Sequence, residues 1–416
     1  MPLGLLALGS WLAGEHVVIV DGRFELAPEA RVVELARGAL CLGVAVRSGA
    51  PLREALGVSA AARGANPSLA IVWGGPHATL DAGSCLAAGA VDACILGAGE
   101  EPLAAVLAAV RAGRPLEPAP GLRVPGQEHG EAAPPPSALW PRADYSMLDV
   151  DRHFEARGAH RLDYCSSRGA RDGATWRAIR AERVVAEVEE LAERHRLSEV
   201  LFRDEDFFAD PERVDAVAQG LVDGGVRLGW QAGARAEDVV ASGLERLRLL
   251  RESGCRRLHF VVPPGGQPRG LLMEAGTRLR AAGLGARFVF EVGEPGGLDA
   301  AVSAARSLCA LDGGFETPRR RARGPVPGPG RSLEDWAGGD AAPWPDARGA
   351  RRLARATFFF AEAQRAPGRR IGKHVVRLLA LLRVRLGFFA LDLDRLAVEA
   401  SALLRTGRAR RAASGD

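Results

Sequence analysis

Cysteine is scarce in this sequence and is not arranged for metal binding. No two of the six cysteines are spaced as Cys-x-x-Cys, and they lie at Cys41, Cys85, Cys94, Cys165, Cys255 and Cys309. This spacing excludes the common zinc-finger and thioredoxin-like patterns. Because no secretory leader precedes the first helical pattern, we expect reduced thiols and a cytoplasmic location.

Lysine and long apolar runs are also nearly absent. Lys373 is the only lysine among 55 basic residues. No apolar run reaches the roughly 20 residues of a membrane span, so we expect no membrane-spanning helix. The net charge of +4 is small for 416 residues. The basic clusters at 319–323 and 405–411 are interpreted as solvated surface, and no nucleic-acid partner is expected.

Strand-like and helix-like segments alternate over residues 1–112. The predicted strands are 17–20, 39–46, 69–73 and 93–96, and the predicted helices are 3–13, 28–37, 51–63, 81–88 and 102–112. This alternation predicts a Rossmann-like, doubly wound parallel sheet. Ligands of such sheets bind beyond the carboxyl ends of the strands, which are followed here by loops at 48–49, 74–79 and 97–100.

A second alternating region covers residues 156–317, after a Pro/Gly-rich linker at 113–155. Its predicted strands are 162–166, 199–203, 226–231, 257–262 and 287–292, with a weaker sixth at 314–316. Predicted helices lie between them at 180–195, 211–223, 244–253, 270–282 and 298–311. Six βα units in one direction predict a (β/α)6 partial TIM barrel. Residues 318–416 form a predicted helical extension with a basic tail, with helices near 349–364, 371–386 and 392–404.

Two local patterns in the second region have alternative interpretations. Asp204-Glu205-Asp206 follows a predicted strand and could bind a hard cation, or cap a turn and pair with arginines. Cys165 could be a reactive thiol at the mouth of the barrel or a small buried side chain. The second interpretation is favoured in both cases, so no catalytic or metal-binding residue is assigned.

Several motifs in a fixed order together resemble one family. They include Gly43-Val-Ala-Val-Arg-Ser-Gly49, Val72-Trp-Gly-Gly-Pro-His-Ala-Thr79, Gly97-Ala-Gly-Glu-Glu101, Tyr164-Cys-Ser-Ser-Arg-Gly169, Leu201-Phe-Arg-Asp-Glu-Asp-Phe-Phe208 and Gly293-Glu-Pro-Gly296. The set is similar to the cobalamin-dependent radical S-adenosylmethionine family, including the anaerobic magnesium-protoporphyrin ester cyclase group. The resemblance covers nearly the whole chain.

The resemblance implies where cofactors would bind. Cobalamin is expected at the loops of the first region, at Ser48, Gly49, Gly74, Gly75, Pro76, His77, Gly99 and Glu100. His77 is a candidate cobalt ligand in this interpretation and a surface residue in the alternative one. The loop with Gly293, Pro295 and Gly296 is interpreted as a remnant of an S-adenosylmethionine site.

The sequence departs from the family pattern at three places. Members carry Cys-x-x-x-Cys-x-x-Cys after Ser167-Arg168-Gly169, where this chain has no cysteine. Members carry Gly-x-Glu-Ser-Gly where this chain has Val262-Pro-Pro-Gly-Gly266. The family's first strand should precede Pro2, so the domain is expected either to lack that strand or to start upstream. The first departure implies that a [4Fe-4S] cluster, and reductive cleavage of S-adenosylmethionine, are not supported.

Three functions remain open from the sequence. The first is a degenerate family member, or pseudoenzyme, with a binding or accessory role toward a small metabolite or an intact paralogous enzyme. The second is an active enzyme that uses cobalamin or S-adenosylmethionine for methyl transfer or cyclisation. The third is the product of a decaying gene.

Overall fold

The computed structural model of the chain describes residues 1–172, 175–262, 269–292, 314–315 and 319–320. In these ranges the strands form two larger sheets and a short hairpin. We call the larger sheets the first sheet and the second sheet, in chain order. The helices predicted at 298–311, 349–364, 371–386 and 392–404 lie outside the described residues.

The first sheet has the parallel strands that the sequence predicts. β1 (Cys41–Ala45), β2 (Ala70–Gly74) and β3 (Ala93–Ile95) lie side by side in chain order. The sheet then extends into the segment predicted as a linker, because β4 (Leu122–Arg123) pairs antiparallel with β3. The described strands therefore form a mixed sheet in the order β1-β2-β3-β4.

Six helices belong to the region of the first sheet, and all but 76–80 were predicted. They are α1 (Leu3–Trp11), α2 (Pro28–Ala36), α3 (Ala50–Ala65), α4 (Pro76–Leu80), α5 (Ala82–Ala87) and α6 (Glu100–Arg111). Trp73 of β2 is fully buried, and its indole N–H donates to Ser59 Oγ at 3.0 Å. A buried indole needs such a partner, since an unpaired N–H would lose its hydrogen bond to water.

Three local predictions for this region were wrong. Residues 17–20 form no strand, although their apolar run is typical of one, and Val18 is 45% exposed. β1 is at the edge of the described sheet and pairs only with β2, and residues 17–20 do not pair with its open edge. Residues 76–80, predicted as a loop, form α4, and Glu100, predicted in a turn, begins α6.

The second sheet consists mainly of parallel strands adjacent in chain order. They are β5 (Arg161–Tyr164), β8 (Glu199–Phe202), β9 (Gly229–Gly233), β10 (Cys255–Val262), β11 (Gly285–Val292) and β12 (Gly314–Phe315), and β13 (Arg319–Arg320) also pairs with β11. The hairpin is formed by β6 (Ser167–Arg168) and β7 (Arg177–Ala178). All six predicted strands of this region are therefore present, with shifted ends.

Four helices follow strands of the second sheet as predicted, and two others were not predicted: the one at 150–157 overlaps the predicted linker and precedes β5, and the one at 236–241 follows β9. They are α7 (Val150–Arg157), α8 (Ala181–His195), α9 (Pro211–Asp223), α10 (Ala236–Ala241), α11 (Leu244–Glu252) and α12 (Arg269–Ala281). Val184 and Val188, one helical turn apart on α8, are both buried in the core. Asp210 caps α9 by accepting a hydrogen bond from the Arg213 backbone N–H at 3.0 Å.

The two faces of the second sheet differ in chemistry because strand side chains alternate. Phe202, Trp230, Phe260 and Phe288 point into the core with the helices. The opposite face carries most of the polar groups, and we call it the polar face. It includes Asp163, Glu199, Arg203, Gln231, Gly233, His259 and Arg287, with Leu201 and Val261 among them. None of the helices in the described ranges is long and apolar enough to cross a membrane.

Candidate functional site

The loops after β1 and β2 meet at one edge of the first sheet. Ser48 Oγ lies 3.0 Å from His77 Nδ1, and the His77 backbone N–H donates to the carbonyl oxygen of Val46 at 3.2 Å. The loop after β3 joins them, since the Gly97 N–H donates to Thr79 Oγ1 at 3.0 Å. The residues expected to bind cobalamin after the first two strands are therefore brought together.

Two of these residues need glycine for their backbone conformation. Gly49 has φ +95° and Gly75 has φ +94°, in the region that side chains disfavour. A Cβ at Gly75 would also lie 3.2 Å from the Val46 carbonyl oxygen. Gly49 and Gly75 are thus the residues at which the chain turns from the ends of β1 and β2 into α3 and α4.

His77 is buried and is not the surface residue of the alternative interpretation. Its side chain is fully covered, in contact with Ser48 on one side and near two buried thiols, Cys85 and Cys94. A hydrogen bond from Cys94 lowers the pKa of Cys85, and His77 adds to this effect. The imidazole is therefore packed in the interior of the first region.

The last two residues expected to bind cobalamin, Gly99 and Glu100, contact α1 and the β6–β7 hairpin instead of the loops after β1 and β2. A Cβ at Gly99 would lie 3.0 Å from Leu8 of α1, so the small residue permits close packing there. Glu100 is 3% exposed and forms an ion pair with Arg168 of the β6–β7 hairpin. The Arg168 guanidinium also lies 4.5 Å from the ring centre of Trp140. This contact joins the two regions, and the sequence did not predict it.

A cavity lies beside this ion pair. It encloses about 50 Å³ and is lined mainly by α1, the segment around Trp140, and the end of β5, with Tyr164, Cys165 and Glu187 among its side chains. Its polar groups have protein partners: the Tyr164 hydroxyl and the Arg183 guanidinium each donate a hydrogen bond to the Glu187 carboxylate, both at 2.7 Å. The cavity is small and has a fixed internal hydrogen-bond network.

The turn of the β6–β7 hairpin is held by ion pairs. Arg171 forms hydrogen bonds with both carboxylate oxygens of Asp206 and also with Asp238, at 2.7–2.9 Å. Arg235 adds contacts to Asp206 at 3.1 Å and to Asp172 at 2.6 Å. Burial acts to raise the pKa of Asp206, but the hydrogen bonds and charges of Arg171 and Arg235 outweigh it and lower that pKa. Asp206 is therefore an ionised anchor for this turn.

The Asp204 carboxylate also forms hydrogen bonds with neighbouring protein groups. Its carboxylate accepts hydrogen bonds from the hydroxyls of Ser166 and Ser167 at 2.7 and 2.5 Å. Burial raises the pKa of Asp204. In the described part of the chain, no group of three or more His, Cys, Asp or Glu side chains is placed to hold a metal ion. This geometry favours pairing over the cation-binding interpretation of Asp204-Glu205-Asp206.

Cys165 is a protonated thiol in this environment. Its Sγ–H donates to the Ser167 carbonyl oxygen at 3.1 Å. Burial, with the nearby Asp204 carboxylate, raises the pKa of Cys165 to about 12. Cys165 is half-buried, and its raised pKa disfavours the interpretation as a reactive thiol. Gly293, Pro295 and Gly296 lie outside the described residues.

Comparison with known proteins identifies the first region independently. Residues 1–107 match the B12 binding domain family. An uncharacterised methyltransferase of Pyrococcus horikoshii is 26% identical over 286 residues, which cover 63% of this chain and 60% of that protein. The chain thus spans less than two thirds of the length of this relative.

Two solved structures share the fold. The radical S-adenosylmethionine methyltransferase TsrM of Kitasatospora setae, with a tryptophan substrate and a cofactor analogue bound, matches with a TM-score of 0.61 and 18% identity. The match covers 76% of this chain and 70% of TsrM. The cobalamin-dependent S-adenosylmethionine radical enzyme OxsB, with aqua-cobalamin and S-adenosylmethionine bound, matches with a TM-score of 0.59 and 16% identity, over 82% of this chain and 52% of OxsB.

These matches agree with the motif order in the sequence, although the cysteines of the family's cluster loop are missing. Residues 1–107 therefore match the B12 binding domain family, and the chain shares the fold of TsrM and OxsB.

Proposed function

We propose that this chain binds cobalamin and works without an iron–sulfur cluster, in a binding or accessory role. The observation that carries the proposal is the β6–β7 hairpin. Where the resemblance puts three thiolates, Arg171 is bonded to Asp206 and Asp238. Such a cluster needs several thiolate ligands, and the nearby Cys165 supplies one protonated thiol. The residues present do not fit the cluster, so we derive no radical step.

The loops of the first sheet support retained cobalamin binding. Gly49 and Gly75 follow the carboxyl ends of β1 and β2, where ligands of doubly wound sheets bind. The loops are also fixed to each other through Ser48 and His77. Since His77 is buried, we expect the cofactor to bind without a bond from this imidazole to cobalt. Bound cobalamin would supply a metal centre able to carry a methyl group.

We also infer that the second sheet is a (β/α)6 partial barrel. Its parallel strands follow the chain order and alternate with helices that cover one face. The polar face would then line the inside of the barrel, as a surface for the partner molecule. In the accessory role, this partner is a small metabolite or an intact paralogous enzyme.

Methyl transfer by a non-radical route is the second candidate. It is favoured by the comparisons, because TsrM and the Pyrococcus horikoshii relative are both described as methyltransferases. Methylcobalamin bound to the protein would lose its methyl group to an acceptor in this case. A change in its absorption that depends on an added acceptor would support this candidate over the accessory role.

Two measurements test the main proposal. The purified chain is treated with iron and sulfide without oxygen, and bound iron and sulfide are then quantified. We expect no stoichiometric cluster, and one cluster per chain would contradict the proposal. Hydroxocobalamin is then titrated and followed by absorption. We expect a saturable complex, and the absence of binding would contradict the cobalamin part of the proposal alone.

A further inference from the structure

We propose that β1 of the first sheet is a dimer interface, at which the same strand of a second copy of this chain pairs with it antiparallel. The inference concerns assembly and does not depend on the proposed cobalamin binding. It rests on the outward backbone groups of β1, on the small exposed residues along its outer edge, and on the match of this edge with itself.

The outer edge of β1 carries backbone groups that the sheet does not use. The Ala70 N–H donates to the Leu40 carbonyl oxygen at 3.3 Å. The Val46 N–H donates to the Gly74 carbonyl oxygen at 2.8 Å, so the even-numbered residues of this segment face β2. Because the peptide groups of a strand alternate in direction, the N–H and C=O groups of the odd-numbered residues face away from β2. These outward residues are Cys41, Gly43 and Ala45, and no other strand in the described ranges pairs with them.

The outer edge is exposed and is formed by small residues. Gly43 and Ala45 are both exposed, and a Cβ at Gly43 would meet no atom beyond its chain neighbours within 4 Å. The strand also contains no charged residue, proline or bulge, which are the features that usually protect a sheet edge from another chain. A further strand can therefore approach the backbone of β1 closely.

Both ends of β1 are held in position without a neighbour on the outer side. Before the strand, the Asn66 side-chain amide donates to the carbonyl oxygens of Ala36 and Ala39, at 2.9 and 3.3 Å. After the strand, the Val46 carbonyl oxygen accepts a hydrogen bond from the His77 backbone N–H at 3.2 Å. The edge is thus preformed, which reduces the entropic cost of pairing with a second chain.

The outer edge is complementary to itself. When two antiparallel copies are related by a twofold axis at Gly43, this residue lies opposite its own copy, and Cys41 lies opposite Ala45. Each outward residue then exchanges both of its backbone hydrogen bonds with the residue opposite, which gives about six hydrogen bonds. A shift of the register in either direction leaves outward groups unpaired. The register centred on Gly43 is therefore the one we expect.

The charges beside the strand permit this arrangement. Arg47, which follows β1, would lie opposite Ala39 in the register centred on Gly43. The two copies of this arginine then lie at opposite ends of the paired strands, so like charges do not face each other. The apolar segment 17–20 of the same chain does not pair with β1. A second copy, in contrast, supplies an edge that matches all three outward residues.

The first experiment measures the mass of the full chain by sedimentation over a range of protein concentrations. We expect a monomer–dimer equilibrium, and a chain that is monomeric at every concentration would overturn the proposal. Gly43→Pro should weaken the dimer by about tenfold or more, because it removes the central N–H from both copies. The fold should tolerate this proline, since the lost N–H faces outward from an edge strand.

Gly43→Ala is the matched control for the proline variant. It keeps the backbone N–H, and its Cβ has room in the monomer. We expect it to dimerise as the wild type does, while circular dichroism shows that both variants are folded. Equal dimerisation of the two variants would place the contact on another surface and would overturn the proposal.

Gly43→Lys and Gly43→Glu test the register and the identity of the occupant. Each variant places two like charges directly opposite each other in the paired copies, so each alone should dimerise much more weakly than the wild type. An equal mixture of the two should recover the dimer, because opposite charges then face each other. A mixture that stays as weak as its components would show a different register or a different occupant, and would overturn the proposal.

Hydrogen exchange resolved to single residues locates the pairing on the strand. The N–H groups of Leu42 and Val44 face β2 and should exchange slowly at every concentration. Those of Gly43 and Ala45 should exchange quickly in dilute protein and slowly in concentrated protein, and Gly43→Lys should remove this difference. Slow exchange of Gly43 and Ala45 in the monomer would mean that the same chain covers the edge, and would overturn the proposal.

Discussion

Glu100 at the start of α6 and Arg168 in the β6–β7 hairpin form an ion pair that links the region of the first sheet to that of the second. Glu100 is 3% exposed, so its charge depends on this partner. Arg168 in turn stacks over Trp140, in the segment between the two regions. The contact therefore joins α6, the β6–β7 hairpin and the segment around Trp140.

We expect Arg168→Met to lower the free energy of unfolding by about 2 kcal/mol, because it leaves a buried carboxylate without its partner. The double variant with Glu100→Gln should recover part of this loss, since no charge is then left unpaired. Urea unfolding of the single and double variants measures the coupling. Strictly additive losses would show that the two side chains do not interact.

Cys165 should react slowly with iodoacetamide in the folded protein. The thiolate is the reactive form, and the pKa of this thiol is raised to about 12 by burial. At pH 8 almost all of the group is therefore protonated. Alkylation measured by mass spectrometry should be slow in buffer and fast in urea, where the normal pKa returns. Fast labelling of Cys165 in the folded protein would contradict this environment.

Arg171→Met should loosen the hairpin turn. The substitution leaves Asp206 and Asp238 without their guanidinium partner, although Arg235 still contacts Asp206. We expect faster hydrogen–deuterium exchange of the hairpin amides and little change on the distant strand β2. A matched control is Arg246→Gln, on the outer helix α11. Unchanged exchange in the hairpin would show that the ion pairs do not hold it.

Because of His153, we expect the free energy of unfolding to fall as the pH is lowered below neutral. Burial, with the nearby positive charges, lowers the pKa of His153 to about 4. Between about pH 6.5 and pH 4 the unfolded chain therefore binds a proton that the folded chain does not, so the free energy of unfolding drops. His153→Gln should flatten this slope in urea unfolding at pH 7, 5.5 and 4.5. An unchanged slope would contradict the assignment.

Gly75→Ala should weaken both the fold and cobalamin binding. The position has φ +94°, and a Cβ there would lie 3.2 Å from the Val46 carbonyl oxygen. A strained backbone of this kind costs about 1–3 kcal/mol. Gly43→Ala is the control, because a Cβ at Gly43 meets nothing within 4 Å. Equal thermal stability of the two variants would show that the loop does not need glycine.

The sequence predicted most strands and helices because their apolar periodicity is local. The pattern over residues 17–20 failed, since a strand also needs a neighbour, which no local pattern reports. β4 was missed because two residues in a Pro/Gly-rich segment carry no periodicity.

The contacts of the candidate site were harder to predict than its loops. Ser48, Gly75 and His77 follow strand ends, so the topology alone brings them together. The pair Glu100–Arg168 is separated by 68 residues, and nothing in the sequence near either residue indicates the other. The hydrogen bonds that connect Glu199 to Gln231 and Gln231 to His259 likewise require the register of three strands.

An irregularity in β10 decides which side chains reach each face of the second sheet. The pairing with β9 shifts between Cys255 and Arg257, so Arg256 is an inserted residue, or β-bulge. From there Leu258 and Phe260 enter the core while His259 points the other way. Cys255 and Leu258 both lie in the core although they are three positions apart, a spacing that would put them on opposite faces of a regular strand. The extra residue therefore lets the start and the remainder of β10 contribute to the same interior.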